Sequence, residues 1–199
     1  MREPADLFRW ILPSAPSCPD PVAETHIIAA ARDFCRATRC WREKDDVEIT
    51  GEEDEVLCVP PAASLFEIEE AYFDGRKLER VAFLDAELDR CCMPSQISQI
   101  QPNSVAVAPR GRCGTLSISM FLMPAQDADI LPEFLFDQFG EIIAQGALST
   151  ILLVPNQPFS NGALATYNAG LFADAKARYF NHHRRGQQRA PVRTRASYL

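Results

Sequence analysis

The sequence lacks the short motifs that usually reveal an enzyme or a metal site. It contains no GxSxG nucleophile elbow, no P-loop and no GxGxxG fingerprint. It has no CxxC pair, and its three histidines, His26, His182 and His183, do not have the spacing of zinc ligands. We therefore expect a protein that is not an enzyme, with no catalytic residues, no metal and no cofactor.

Long apolar runs are also missing. The longest, from Ala147 to Val154, contains Ser149 and Thr150 and is far too short to span a bilayer. The start, Met1-Arg2-Glu3-Pro4, lacks the positive lead and apolar stretch of a secretory signal. We expect a soluble protein that is made in the cytosol and has no membrane partner.

The seven cysteines are an odd number, and two of them, Cys91 and Cys92, are adjacent. This pattern argues against a complete disulfide framework. We expect reduced thiols that pack as small hydrophobic side chains.

Charge is distributed unevenly along the chain. The net charge is −7, but residues 176–199 contain seven basic residues and no acidic one. Residues 45–55 contain seven acidic residues and no basic one. This acidic segment misses the spacing of a calcium-binding loop, so we interpret it as the solvated tip of a β-hairpin. An acidic body is also unsuited to coating itself with DNA, because phosphate binding requires positive charge.

Apolar residues with helical spacing predict one early helix and two late ones. The first begins at Asp20 and Pro21 and continues to Trp41, and the others cover Pro132 to Val154 and Ser160 to Tyr179. Since one amphipathic helix cannot bury its apolar stripe alone, the first must pack on the other two. The residues expected in this packing are Ile27, Phe34, Trp41, Leu135, Phe139, Ile143, Tyr167 and Leu171.

Two glycines lie inside the second predicted helix. Gly140 and Gly146 are costly in a helix interior unless another group packs closely against them. At the start of the last helix, Ser160 or Asn161 is expected to act as the cap.

Between the helices the pattern changes to short strands. Leu65 to Phe73 alternates, Asp74-Gly75 is a hairpin turn, and strands follow near Ile97, Val105 and Thr115. A short helix is expected over Phe83 to Cys92. The predicted fold is therefore α+β: a helical bundle from residues 1–42 and 125–183, an inserted antiparallel β-sandwich or barrel over 43–124, and a basic arm over 184–199.

The arm is open to three interpretations. It could dock on a partner protein, with Tyr198 and Leu199 as apolar anchors. It could bind nucleic acid through phosphate contacts, or it could be a solvated tail. The residues assigned to it are Arg184, Arg185, Arg189, Arg193, Arg195, Tyr198 and Leu199.

Several segments have a recognisable sequence pattern. They are Cys18-Pro19-Asp20-Pro21-Val22-Ala23 with Ala30-Ala31-Arg32-Asp33-Phe34-Cys35, Thr38 and Trp41-Arg42; Asp74-Gly75-Arg76-Lys77-Leu78; Gly146-Ala147-Leu148; Pro155-Asn156-Gln157-Pro158-Phe159; and Ala165, Tyr167 and Phe172. With these segments, which cover most of residues 18–180, the chain resembles tailed-bacteriophage head–tail connector proteins of the adaptor, or tail-tubular-A-like, family.

The resemblance implies a structural virion protein of the phage neck. Members of such a family form a ring, usually of twelve copies, beneath the portal and join the portal protein to a tail or nozzle protein. Genomic DNA passes through the channel during ejection without sequence-specific binding. The helices would form the ring, and the C-terminal arm would reach the portal. The alternative from the residues alone is a nucleic-acid-binding accessory protein that acts through its Arg-rich C-terminus.

Overall fold

The structure of the protein is a computed structural model that describes residues 1–51, 55–82, 84 and 92–184. The chain divides into two compact units. The helical unit contains residues 1–40 and those from Ile130 onward, and the strand unit contains Trp41–Asp129. The predicted mixed α+β class is confirmed. The short helix expected over Phe83 to Cys92 lies largely outside the described residues.

The helical unit begins with a 3₁₀ turn, Pro4–Leu7, that continues into α1, Phe8–Ile11. Its three long helices are α2 (Asp20–Thr38), α3 (Glu133–Ile151) and α4 (Gly162–Arg184). Arg2 ties the start of the chain to α3, since its guanidinium lies 3.2 Å from Glu133 and 3.3 Å from Asp137.

Helix α2 ends earlier than the sequence predicts. Arg39 adopts a left-handed backbone conformation, with φ at 55°, and donates its N–H to the carbonyl of Cys35. This reversal closes the helix after Thr38, so Trp41 is not on its apolar stripe. Trp41 is buried in the strand unit instead, where its carbonyl accepts the N–H of Leu122 at 2.8 Å.

Both glycines of α3 face close neighbours, as their cost in a helix requires. A Cβ added at Gly140 would lie 3.0 Å from the ring of Trp10. One added at Gly146 would lie 2.8 Å from the ring of Phe172. The second contact sets how closely α3 and α4 approach each other.

The buried face of α4 differs from the predicted one. Tyr167 is 63% exposed and Leu171 is only partly buried, whereas Ala165, Asn168, Phe172 and Ala175 are buried. The prediction was wrong for Tyr167 because the helix turns polar Asn168, and not Tyr167, towards the core. The Asn168 side-chain amide donates a hydrogen bond to the carbonyl of Leu164 at 2.8 Å, which offsets the cost of burying it. The predicted cap is confirmed for Asn161, whose side-chain oxygen accepts the N–H of Leu164.

The strand unit has eight strands in the described residues. They are β1 (Arg42–Ile49), β2 (Val56–Leu57), β3 (Ala63–Phe73), β4 (Arg76–Lys77), β5 (Glu79–Arg80), β6 (Gln96–Gln101), β7 (Ser104–Ala108) and β8 (Gly114–Pro124).

These strands form two four-stranded sheets. The first has the order β1-β8-β3-β4 and the second β2-β7-β6-β5. Every pairing is antiparallel except β5 with β6, which is parallel. The strands described therefore do not close into one barrel. The predicted Asp74-Gly75 turn joins β3 to β4, and both residues have positive φ.

The predicted acidic hairpin is wrong. Strand β1 pairs with β8, while β2 pairs with β7 in the other sheet. The acidic segment therefore connects two sheets instead of turning one strand back on its neighbour. Local alternation shows that both segments are extended, but it does not reveal their distant partners.

The unit boundaries also differ from those predicted at residues 42 and 124. After β8, Ala125 still donates its N–H to the carbonyl of Ala62, and Ala128 donates to Ala125. These bonds keep the chain in the strand unit until Asp129. From Ile130 it belongs to the helical unit, where Leu131 exchanges backbone hydrogen bonds with Arg2.

Candidate functional site

An aromatic cluster joins the three long helices. The ring centroids of Phe34 on α2 and Phe139 on α3 are 4.9 Å apart, and those of Phe139 and Tyr179 on α4 are 5.1 Å apart. Phe34 is also 6.2 Å from Phe172. Such pairs add to the free energy gained from burial. The helical unit therefore has one core that residues from both ends of the chain build together.

The predicted packing residues are mostly placed in this core. Ile27, Phe34, Leu135, Phe139 and Ile143 are buried. Trp41, Tyr167 and Leu171 are the three that the structure places elsewhere, as described above.

A polar contact joins α2 and α3 beside this core. The Nδ1 atom of His26 lies 2.8 Å from Oγ1 of Thr150, and the Thr150 hydroxyl donates to the carbonyl of Ala147. Burial lowers the pKa of His26, which favours its neutral form.

The outer face of α4 is made mainly of small side chains. An added Cβ at Gly170 would have no described atom within 4 Å, apart from its own helix and neighbours. Exposed alanines surround this glycine, and Tyr167 stands out from the same side of the helix. The exposed small residues of this face are Ala163, Thr166, Gly170, Ala173 and Ala177.

No close neighbour in the described helical unit explains why position 170 is a glycine. A glycine costs about 1 kcal/mol relative to alanine in a helix interior. Gly140 and Gly146 offset that cost through close packing, but Gly170 has open space beside it. Sequence reasoning missed this face because Tyr167 was expected to be buried, whereas it is exposed.

The strand unit carries most of the negative charge. Residues 41–129 contain 18 acidic and 8 basic residues, a net charge of −10. Residues 1–40 and 130–184 contain 9 acidic and 8 basic residues, a net charge of −1. The acidity is therefore a property of one unit and not of the whole body.

The outer surface of the first sheet is organised by two bulges in β3. At the second bulge, Glu70 pairs with Ser119 of β8 and Glu69 is the extra residue without a register partner. Glu69 accepts hydrogen bonds from Arg42 at 2.6 Å and from Ser119 at 2.7 Å. Sequence alternation cannot reveal a bulge, so the sequence alone does not indicate these contacts of Glu69.

The second carboxylate of the bulge has its own partners. Glu70 accepts bonds from Lys77 at 3.0 Å and from Tyr72 at 3.2 Å. These two hydrogen bonds lower the pKa of Glu70, and the same contact raises the pKa of Lys77. The arrangement fixes a charged, hydrated sheet surface.

One open groove lies in the strand unit, with a volume of about 460 Å³. It is lined by residues 66–68, 80–81 and 97–99. Its polar groups are bonded to backbone: Arg80 donates to the carbonyl of Ile68 at 2.6 Å, Ser98 to that of Ala82 and Gln99 to that of Leu65. The Arg80 and Gln99 bonds connect strands of the two sheets, and the Ser98 bond ties β6 to the segment after β5, so all three have a structural role.

No protein-family model matches the chain, and a search of curated proteins finds no match. Within the described ranges, no group of three or more His, Cys, Asp or Glu side chains could hold a metal ion. No described helix combines the length and apolarity needed to cross a bilayer.

Most of the predicted arm lies outside the described residues. The backbone of α4 is described to Arg184. Beyond it lie Arg185, Arg189, Arg193, Arg195, Tyr198 and Leu199. In the sequence the arm directly follows the described part of α4, the helix whose outer face is rich in small residues.

Proposed function

We propose that the protein is a structural virion protein, a head–tail adaptor that forms a ring beneath the phage portal and joins it to the tail. In this proposal α2, α3 and α4 form the bundle of each copy, and the two sheets form a sandwich. The observation that carries it is the outer face of α4, where Gly170 leaves room for a neighbouring backbone. The resemblance to tailed-phage connectors supports the same function.

The physical argument rests on helix contact between copies. Small residues let two helix backbones approach closely, and an exposed aromatic ring supplies contact area. The face around Gly170 has both features, with Tyr167 as the aromatic residue. A ring uses such a face repeatedly, since each copy presents it to the next.

The charge distribution fits a channel for DNA. A wall of like charge repels the phosphate backbone, so DNA passes without sticking to it. The net charge of −10 in the strand unit supports this part of the proposal. The arm, by contrast, has four basic and no acidic residues over 185–199 and would dock on the portal.

A leucine at position 170 tests the ring directly. Gly170→Leu should stabilise the monomer, because leucine favours helices and the described space is open. It should abolish the ring, because the added side chain fills the contact. Electron microscopy and sedimentation of the protein mixed with its portal would measure both assembly states.

A matched control is Glu141→Leu, which adds a leucine at an exposed position of α3. It should leave the ring intact. Rings formed equally well by Gly170→Leu would remove the α4 face from the proposal. A protein that stays monomeric with its portal at every concentration would remove the adaptor function.

The arm is tested by changing Arg185, Arg189, Arg193 and Arg195 together to alanine. Portal binding should be lost while the helical unit keeps its melting temperature. Undiminished portal binding would refute the docking role of the arm.

A nucleic-acid-binding accessory protein is the alternative, favoured by the seven basic residues and no acidic ones over 176–199. It requires binding to duplex DNA that weakens steeply with salt and disappears in the same four-arginine variant. Absence of binding at low salt excludes it.

A further inference from the structure

Two cysteine thiols meet at the end of α2. The sulfur atoms of Cys35 and Cys40 are 3.7 Å apart, and both residues are buried in the helical unit. Cys35 lies in the last turn of α2, and Cys40 follows the left-handed residue Arg39. The reversal at Arg39 returns the chain over the helix end and brings the two thiols together.

Three of the other described cysteines lie against backbone carbonyls, and the fourth, Cys92, is exposed. The thiols of Cys18, Cys58 and Cys113 each lie against a backbone carbonyl, those of Pro19, Asn103 and Thr50 respectively. Only in the described pair Cys35 and Cys40 does one sulfur contact another. An odd cysteine count had argued against a disulfide framework, but it does not exclude a single bond.

We propose that Cys35 and Cys40 form an intrachain disulfide when the chain meets an oxidising thiol–disulfide pool. A disulfide has an S–S distance of about 2.0 Å, so the sulfurs must move together by less than 2 Å. Only four residues separate the two cysteines, and the helix end already holds them in contact. The bond would fasten Cys40, where the chain leaves the helical unit for the strand unit, to α2.

The reaction is an ordinary exchange with a small disulfide such as oxidised glutathione. The Cys40 thiolate attacks one sulfur of that disulfide, and reduced glutathione leaves. The Cys35 thiolate then attacks the Cys40 sulfur of the mixed disulfide, and a second reduced glutathione leaves. The protein loses two electrons and two protons, which the two glutathione molecules carry away.

Burial controls the rate of this step. The hydrogen bond from Cys40 and then burial raise the pKa of the Cys35 thiol, so its thiolate is scarce in the folded protein. Exchange therefore needs local opening of the helix end and is slow. The finished disulfide is equally sheltered from reductants, so it persists once formed.

The proposed function would bring the protein into oxidising surroundings, although the disulfide proposal does not depend on that function. A virion protein folds in a reducing cytosol and then leaves it with the released particle. The disulfide would form after that release and would hold the end of α2 in the mature particle.

The test uses the full chain in glutathione buffers that range from reduced to oxidised. After acid quenching and alkylation, trypsin cuts behind Arg36 and Arg39, which separate the two cysteines. A disulfide keeps the resulting fragments joined until a reductant is added. We expect the joined fragments in oxidised buffer and a melting temperature about 5 °C higher than in the reduced chain.

Two variants distinguish this bond from other oxidation. Cys40→Ser should remove the joined fragments and the rise in melting temperature, and Cys35→Ala provides a second route if the serine variant folds poorly. Cys113→Ser, which removes an exposed thiol, should keep both effects. Alkylated, unlinked Cys35 and Cys40 in the oxidised full chain would overturn the proposal, as would linkage without a rise in melting temperature. No ring or portal is needed, so this result is independent of the proposed function.

Discussion

The two units bury their apolar side chains in different ways. The helical unit takes its helices from both ends of the described chain and joins them through a few large aromatic rings. The strand unit is one continuous segment whose side chains form strand-by-strand contacts, with a charged outer surface. The helical unit therefore depends on a few rings and close glycine contacts, while the strand unit distributes its stability over many pairings.

Removing one central ring should produce the largest effect. Phe34→Ala should lower the free energy of unfolding of the helical unit by about 3–5 kcal/mol, because Phe34 is fully buried between helices. Amide hydrogen exchange would show the loss of protection in α2, α3 and α4. Equal loss of protection in both units would show that they unfold together, which would contradict the separate stabilisation of the two units.

A smaller effect is expected where α3 meets α4. Gly146→Ala should destabilise by about 1–3 kcal/mol, because the new methyl group would meet the ring of Phe172. The matched change Gly170→Ala should stabilise the monomer by up to about 1 kcal/mol, since no described atom blocks it. Chemical denaturation of both variants measures the difference, and equal effects would contradict the packing described for Gly146.

The partial burial of His26 should make the helical unit weakly sensitive to pH. The folded pKa of His26 is lowered, so the unfolded chain takes up the proton first as pH falls. Stability is therefore fully present above the unfolded pKa of about 6.5 and decreases as pH falls through the folded value. Solvent screening keeps the effect below about 1 kcal/mol.

A series of thermal melts between pH 7.5 and pH 5 would measure this loss, and the His26→Gln variant should flatten it. A slope of the opposite sign would mean that the folded state favours the charged imidazole.

The smallest effect is expected on the surface of the strand unit. Lys77→Met should raise the pKa of Glu70 towards its ordinary value, because the Lys77 hydrogen bond is the main cause of the lowered pKa. An NMR titration of the Glu70 carboxyl would detect the change, while the melting temperature should remain unchanged. A clear drop in melting temperature would show that surface charge pairs contribute substantially to the stability of the strand unit.

The sequence predicts local structure well where one residue type has one physical use. The glycines inside α3 required close neighbours, and the structure supplies Trp10 and Phe172. The Asp74-Gly75 turn and the buried positions Ile27, Phe34 and Phe139 follow in the same way from spacing and backbone freedom.

The wrong predictions involve residues whose bonding partners lie far along the chain or within their own helix. Asn168 is buried because it bonds within its own helix, and that displaces Tyr167 to the outside. Arg39 ends α2 through a left-handed conformation that arginine rarely adopts, so Trp41 was assigned to the wrong unit. The pairing of β1 with β8 joins segments about seventy residues apart, which no local pattern reveals. The assignment of the arm residues to docking stays a prediction.

The interrupted helical unit also constrains the order of folding during synthesis. Helix α2 leaves the ribosome long before α3 and α4, so its apolar stripe has no partner while residues 41–129 are being made. The strand unit is continuous and can complete its sheets in that interval. Nascent chains in which residues 41–129 have left the ribosomal exit tunnel, while α3 and α4 are still inside it or not yet made, should therefore already contain protease-resistant sheets, with α2 still open to cleavage.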